Sequence, residues 1–414
     1  MIPDSAVARG IIHIIAIIQS SIAPFSFFYY IYYIATEQKL FTVHSSIDTF
    51  VHYWFGCELI FYIYFQITHS RMQKLTSDIA PTSRERSDVY TLCLEAIDQA
   101  ETWLPGWFTL ANDLVKHPKF EDIYRDNLAE WYSVFTKLST FTYSFVCPRL
   151  SWAFFNLPLE SVLQDESTIQ ELHEMINDFE NKFHIKLKEG YNEDVIAYRL
   201  TLDPLLAYPR PLAFYVLVLF LTNTFGFVCQ FLWGMKRFGP ENRSTIWSLM
   251  DPQQSPYPSS HIGPEKVPYW FRDGNRRKKP IVFIHGIGGG LMCYITLVAK
   301  LVTLDAPIFF IELPFVAMNC VEEVPTAQET VRDIQQMLQR HGCTDAVFVG
   351  HSLGTSVISW AVKYIPKSVA STVFIDPICF MLHYNDICLN FVYRKPKTAA
   401  EVSTDVTLSV YLTL

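Results

Sequence analysis

Val347-Phe348-Val349-Gly350-His351-Ser352-Leu353-Gly354-Thr355 is the stretch on which the reading of this chain turns. A short β-branched and aromatic run leads into Gly-x-Ser-x-Gly, and the residues that follow can continue as a helix. Strand, glycine-flanked serine and helix is the order of a nucleophile elbow, which exposes the serine hydroxyl on a strained turn. The flanking glycines, Gly350 and Gly354, let strand and helix approach each other without a Cβ clash. Gly-x-Ser-x-Gly alone recurs by chance; its neighbourhood gives it weight.

Upstream, Pro280-Ile281-Val282-Phe283-Ile284-His285-Gly286-Ile287-Gly288-Gly289-Gly290 is a buried-strand pattern running into a glycine-rich turn. Such a turn can leave backbone N–H groups aimed at one spot, as an oxyanion requires. Pro307 to Leu313 is a further buried strand, and Thr326-x-x-Glu329 has the form of a capping box. The predicted helix behind it carries Val331, Ile334, Met337 and Leu338 on one face and closes at Gly342. Ala370 to Ile375 then gives one more apolar strand, ending in Asp376-Pro377. Strands alternating with helices predict a parallel sheet with crossover helices.

Through these motifs, residues 280 to 395 resemble the α/β-hydrolase family. The resemblance implies an α/β fold, a Ser–His–acid triad acting on acyl compounds, and no cofactor. Ser352 would be the nucleophile, in an elbow of Gly350, His351 and Gly354. The backbone N–H of Leu353 and that of Ile287 or Gly288 would form the oxyanion hole. Asp376 is the candidate acid, with an ordinary Asp-Pro turn as its other reading. His351 reads as an elbow or packing residue, because adjacent side chains diverge at a sharp turn, and His285 as a brace of the oxyanion turn. Of 12 histidines, His383 alone follows Ser352, so it is the one candidate base in family order. Only 38 residues follow Asp376, too few for two more strands, their helices and a histidine loop. The expectation is a parallel sheet that is incomplete at its C-terminal side, with the alternating tail Thr404 to Leu414 as a possible edge strand.

The chain has 414 residues and a formal charge of −8, which argues against nucleic acid as a partner. It is 50% apolar, 15% aromatic and only 18% charged, where a soluble chain carries about a quarter charged residues. The deficit is local. Gly10 to Thr36 holds no charge, and at ~1.5 Å per residue it outspans a ~30 Å hydrocarbon layer. Pro211 to Met235 is a second uncharged run, predicted to span or lie embedded in a membrane. Thr49 to Thr68 is a third candidate, but Glu58 at its centre makes an interfacial or bundle-facing helix an equal alternative. Basic residues after the second run (Lys236, Arg237, Arg243) and at Arg276 to Lys279 place the hydrolase part on the cytosolic face.

The predicted organisation is a membrane-anchoring region over 1–75, a helical region over 76–205, a membrane helix over 211–235, a linker over 239–279 and the hydrolase core over 280–414. In the helical region Thr168-x-x-Glu171 could cap a helix striped by Ile169, Leu172, Met175, Ile176, Phe179 and Phe183. The aromatic clusters Trp103 to Phe108 and Leu150 to Phe155 would line an acyl-chain entrance or pack a helical layer. The linker is rich in proline, from Pro252 to Pro268. Nine scattered cysteines without C-x-x-C fit a reducing compartment, and no metal-ligand spacing is present. The expected function is a membrane-bound serine hydrolase of a carboxylic ester or thioester, with the lipid bilayer and a lipid-like acyl ester as partners. The alternative is a catalytically inactive hydrolase-like membrane protein.

Overall fold

The computed structural model describes residues 4–38, 45–72, 82–112, 116–133, 166–198, 209–239, 255–256, 266–321 and 324–390. The chain divides into two compact units: Met1–His69 with Leu206–Phe380 and Pro396–Leu414, and Ser70–Leu205 with Met381–Lys395. The tail strand expected at Thr404 to Leu414 and the cluster Leu150 to Phe155 lie outside the described residues, as does Arg243.

The first unit is built on a seven-stranded sheet. Its strands are β3 (Lys236–Gly239), β4 (Ser255–Pro256), β5 (Tyr269–Arg272), β6 (Ile281–Ile284), β7 (Ile308–Ile311), β8 (Ala346–His351) and β9 (Val369–Ile375), in the order β4-β3-β5-β7-β6-β8-β9. β7, β6, β8 and β9 run parallel, while β5 is antiparallel to both β3 and β7. β7 is buried throughout, as its Ile-Phe-Phe-Ile run demands of a strand covered on both faces. β9 is the edge strand among the described residues, with Val373 46% exposed.

Two cores sit on opposite faces. Val282 and Ile284 of β6 and Phe309 and Ile311 of β7 pack with α8 (Ala327–Arg340) and α9 (Leu353–Tyr364). The alternate residues Phe283, Ile308 and Phe310 pack with Val298 of α7 (Ile295–Val302) and with Phe225 of α6 (Leu212–Phe227). Thr326 and Glu329 form the capping box expected for α8, and Val331, Ile334, Met337 and Leu338 are all buried.

The 239–279 stretch is more than a connection. Tyr269, Trp270 and Phe271 within it form the buried middle of β5, and Arg237 just before it is tied to Glu312 by Nε at 3.0 Å and Nη2 at 2.6 Å. Prolines 252 to 268 mask an aromatic strand that packs because it is apolar. The same ion pair removes Arg237 from the exposed cations on which the topology argument rests.

α1 (Ala6–Thr36) and α6, continued by a π-turn to Leu232, are long and apolar enough to cross a membrane. α1 leaves Ile11, Ile14, Ile17 and Phe28 more than half exposed, a contiguous apolar surface that water does not favour. α2 (Ser45–Met72) packs on α1, with Tyr30 Oη donating to His52 O at 2.7 Å. Glu58 is 1% exposed and accepts from Leu212 N (2.7 Å) and Ala213 N (3.2 Å), so it caps the first turn of α6. An anion at a helix N-terminus meets unsatisfied N–H groups and the positive end of the dipole. Of the readings open for Glu58, the bundle-facing one describes its surroundings.

The second unit is helical around a small two-stranded sheet. α3 (Ser83–Ala96), α4 (Arg125–Ser133) and α5 (Glu166–Phe183) surround β1 (Phe108–Leu110), paired antiparallel with β2 (Val195–Ala197). Leu172, Met175, Ile176 and Phe179 of α5 are buried as their spacing predicts. The capping box at Thr168 is not formed, because α5 starts at Glu166; Glu171 instead binds Arg86 of α3 through both carboxylate oxygens. Trp103, Leu104, Trp107 and Phe108 belong to this unit's buried core and pack it.

Candidate active site

β8 ends at His351 and α9 begins at Leu353, leaving Ser352 alone on the turn with φ 51° and ψ −118°. That backbone conformation costs about 1–3 kcal/mol and persists only where its surroundings fix it. Here they do. Ser352 N donates to Ile375 O of β9 at 2.9 Å, and Ser352 O accepts from Thr355 N (2.9 Å) and Thr355 Oγ1 (2.6 Å). The flanking glycines are required by space: a Cβ on Gly350 would lie 2.7 Å from Gly354 O, and one on Gly354 would lie 2.3 Å from Ile284 O. Ser352 Oγ makes no hydrogen bond among the described residues.

Of the three expected oxyanion donors, Ile287 and Leu353 have no hydrogen-bond partner for their N–H groups among the described residues. Gly288 does not fit: its N–H donates to Val316 O at 3.1 Å, which folds the turn onto the loop after β7. Ile287 and Leu353 therefore remain as the candidate pair.

The histidines flanking Ser352 are both occupied. His285 is fully buried; its Nε2 accepts from Leu313 N (2.9 Å), which leaves Nδ1–H to donate to Gly286 O (2.7 Å). Burial pushes its pKa down, so it is a neutral brace. His351 holds Asp376 Oδ2 at 3.1 Å through Nε2 and Tyr294 Oη at 2.7 Å through Nδ1. Because a carboxylate only accepts, Nε2 carries the proton and Nδ1 accepts from the phenol. Tyr294 Oη in turn accepts from Gly286 N at 3.0 Å, and burial raises the phenol's pKa, so it stays a donor. One chain of donors runs from the glycine turn through Tyr294 and His351 to Asp376.

Asp376 thus sits beside the elbow, but the histidine it holds is His351. Its carboxylate is 81% exposed, and its backbone has φ 48°. His383 falls in the second unit, where its carbonyl accepts from Trp103 Nε1 at 2.8 Å and its ring lies 4.1 Å from that of Tyr384. His341 is a packing residue: it lies 3.9 Å from the Phe271 ring, and burial, then Arg340 and Arg276, push its pKa down to about 4. Among the described residues no group of three or more His, Cys, Asp or Glu side chains could hold a metal ion.

Tyr294 is the site residue the sequence does not announce. It stands eight positions past Gly286, and no spacing rule brings it back onto the turn. Tyr294→Phe removes the hydroxyl and leaves the N–H of the buried Gly286 without that partner, a loss of about 1–3 kcal/mol. The variant is expected to lose about tenfold in kcat on an acyl ester with KM little changed, because the turn, and not a substrate contact, is disturbed. A kcat equal to the parent's, measured on folded protein, would show that the bridge does no positioning.

Residues 279–399 match the family model described as alpha/beta hydrolase fold. The chain is similar to ethanol acetyltransferase 1 of Cyberlindnera fabianii, at 32% identity over 100 residues, 24% of this chain and 30% of that one. It therefore spans less than a third of that relative's length. Among solved structures it is similar to a hydrolase from Pseudomonas aeruginosa (22% identity, TM-score 0.23, 26% of this chain and 42% of that one). It is also similar to a carboxylesterase of Nitrososphaera gargenis (18% identity, TM-score 0.27, 38% and 72%). With its mostly parallel sheet and matching model, the C-terminal part of this chain has an alpha/beta hydrolase fold.

Proposed function

We propose that this chain performs acyl-ester chemistry at a membrane, with Ser352 as nucleophile. The observation that carries the reading is the elbow itself: a serine held at φ 51°, its hydroxyl and the nearby N–H groups of Ile287 and Leu353 without hydrogen-bond partners among the described residues. Ser352 Oγ attacks the carbonyl of a carboxylic ester or thioester, and the N–H groups of Ile287 and Leu353 stabilise the oxyanion. The proton of Ser352 Oγ passes to a general base, for which His383 is the candidate the sequence offers, and returns to the alcohol or thiol that leaves as the oxyanion collapses to the acyl-enzyme; Asp376 keeps Oδ1 open among the described residues. The acyl-enzyme then passes its acyl group to water; transfer to an alcohol is the variant suggested by the name of the acetyltransferase relative. A lipid-like substrate follows from α1 and α6, whose length and exposed apolar faces suit a bilayer. The expected cytosolic side rests on the basic residues Arg276 to Lys279.

A second reading, a hydrolase-like protein without turnover, is favoured by one observation. His285 and His351 both have both ring nitrogens in hydrogen bonds, so neither is a base in this arrangement. An unassisted serine is a poor nucleophile. Full-length protein in its membranes is therefore treated with a fluorophosphonate and the adduct mapped. Labelling at Ser352 that vanishes in Ser352→Ala supports catalysis, while unlabelled, folded protein supports the second reading. Alkaline carbonate should leave the chain in the membrane pellet; release into the supernatant would exclude α1 and α6 as anchors.

A further inference from the structure

α6 has two different faces. Val216, Leu217, Phe220 and Leu221 point outward and are 41–66% exposed, as a lipid-facing row would be. The opposite face, with Tyr215, Leu219 and Asn223, walls a cavity of about 90 Å³. Gly290, Met292 and Met318, on the glycine turn and the loop after β7, close the other side. A single water needs only ~10–15 Å³, so this space has room for a multi-atom occupant. Neither Ser352 nor its candidate donors Ile287 and Leu353 line it. The cavity is thus a place behind the oxyanion turn, separate from the reacting hydroxyl.

Its wall chemistry narrows the occupant. The charged groups present are already satisfied: Glu312 takes Arg237 Nε and Nη2 on one oxygen and Trp270 Nε1 on the other, at 2.6–3.0 Å. The polar side chains left over are neutral: the hydroxyls of Tyr215 and Thr222, the thiol of Cys320 and the amides of Asn223 and Asn319. Asn223 and Asn319 line the cavity and make no side-chain hydrogen bond among the described residues. An asparagine on an otherwise uncharged membrane helix is costly against lipid, and such residues turn toward functional cavities. Leu219, Leu291, Pro314 and Ala317 add apolar wall, and Met292 and Met318 can re-pack around a flexible guest.

We infer that this cavity holds one acyl chain of a neutral or zwitterionic bilayer lipid, with the amides of Asn223 and Asn319 donating to its ester carbonyl. The inference rests on the reading of α6 as a membrane helix. An anionic head group is disfavoured because the one guanidinium in the wall is taken by Glu312.

The test uses the full chain in phosphatidylcholine vesicles doped with a phosphatidylcholine whose acyl chain carries a diazirine. After irradiation, labelled peptides are mapped by mass spectrometry. Label is expected on the cavity wall around Met292 and Met318, in addition to the exposed face of α6. Leu219→Trp, which fills the cavity, should reduce the Met292 and Met318 label at least tenfold, and Val216→Trp on the outer face should not. Asn223→Leu, which keeps the volume, should reduce it severalfold and guards against misfolding of the tryptophan variant. Label confined to Val216, Leu217, Phe220 and the faces of α1 overturns the cavity site while leaving the membrane helix intact. No label anywhere, together with release by carbonate, overturns both.

Discussion

The 414-residue protein carrying Ser352→Ala is expected to turn over an acyl ester roughly 10⁴- to 10⁶-fold more slowly than the parent. The size of the loss follows from what the side chain does and does not touch. Ser352 Oγ has no hydrogen bond among the described residues, so its removal strands no partner. The strained backbone at φ 51° is as costly for alanine as for serine, and the bonds to Ile375 O and Thr355 that hold it involve only the main chain of residue 352. The thermal midpoint of the variant should therefore lie within about a degree of the parent's, and the lost rate is chemical. Turnover of a thioester and of an oxygen ester in detergent micelles, with added alcohol as a competing acceptor, gives the rate and the fate of the acyl group together. Parent and variant turning over equally would remove Ser352 from the chemistry. A folded parent with no turnover of any ester would leave the non-catalytic reading standing.

How much of this was open to inspection in the residues differs from element to element, for physical reasons. β6, β7 and β8 are legible because strands covered on both faces must be apolar throughout, and the Thr326 box because capping is a four-residue pattern. The elbow is legible because only glycine fits at 350 and 354. β5 is hidden because proline-rich surroundings read as a connection, although Tyr269 to Phe271 is as apolar as its neighbours in the sheet. The capping box at Thr168 fails because a four-residue pattern cannot tell where a helix already under way began. Glu58 looks like a misplaced charge until α6 is seen to place its N-terminus against it, a contact 154 positions away in sequence. The same holds for Tyr294 and for the engagement of Asp376 with His351. Both are set by the crossing of turns at the ends of parallel strands, which local periodicity does not encode. Gly288 shows the limit within a motif: the glycine run identifies the turn, but which N–H points free depends on the loop after β7.

Gly354→Ala should be among the most damaging single-methyl changes in the hydrolase part. Its Cβ would stand 2.3 Å from Ile284 O, 2.9 Å from Ile284 C and 3.0 Å from His285 O. All three are backbone atoms of β6 or the residue after it, so no rotamer change relieves the contact. Either α9 moves away from the sheet or β6 yields, and overpacking of this kind costs about 1–3 kcal/mol, occasionally more. For a unit of this size that corresponds to a fall of roughly 2–12 °C in the thermal midpoint. Moving α9 also moves Leu353 N–H, because Leu353 is the first residue of that helix, so reactivity should fall beyond what unfolding explains. Gly10→Ala is the control: a Cβ there meets nothing within 4 Å, and alanine favours the helix α1 in which it lies. Thermal unfolding of the three proteins in one detergent, followed by fluorophosphonate labelling below the lowest midpoint, separates the two effects. A Gly354→Ala protein that melts with the parent would mean that β6 and α9 do not approach as closely as the elbow requires, and the oxyanion geometry drawn from them would fall with it.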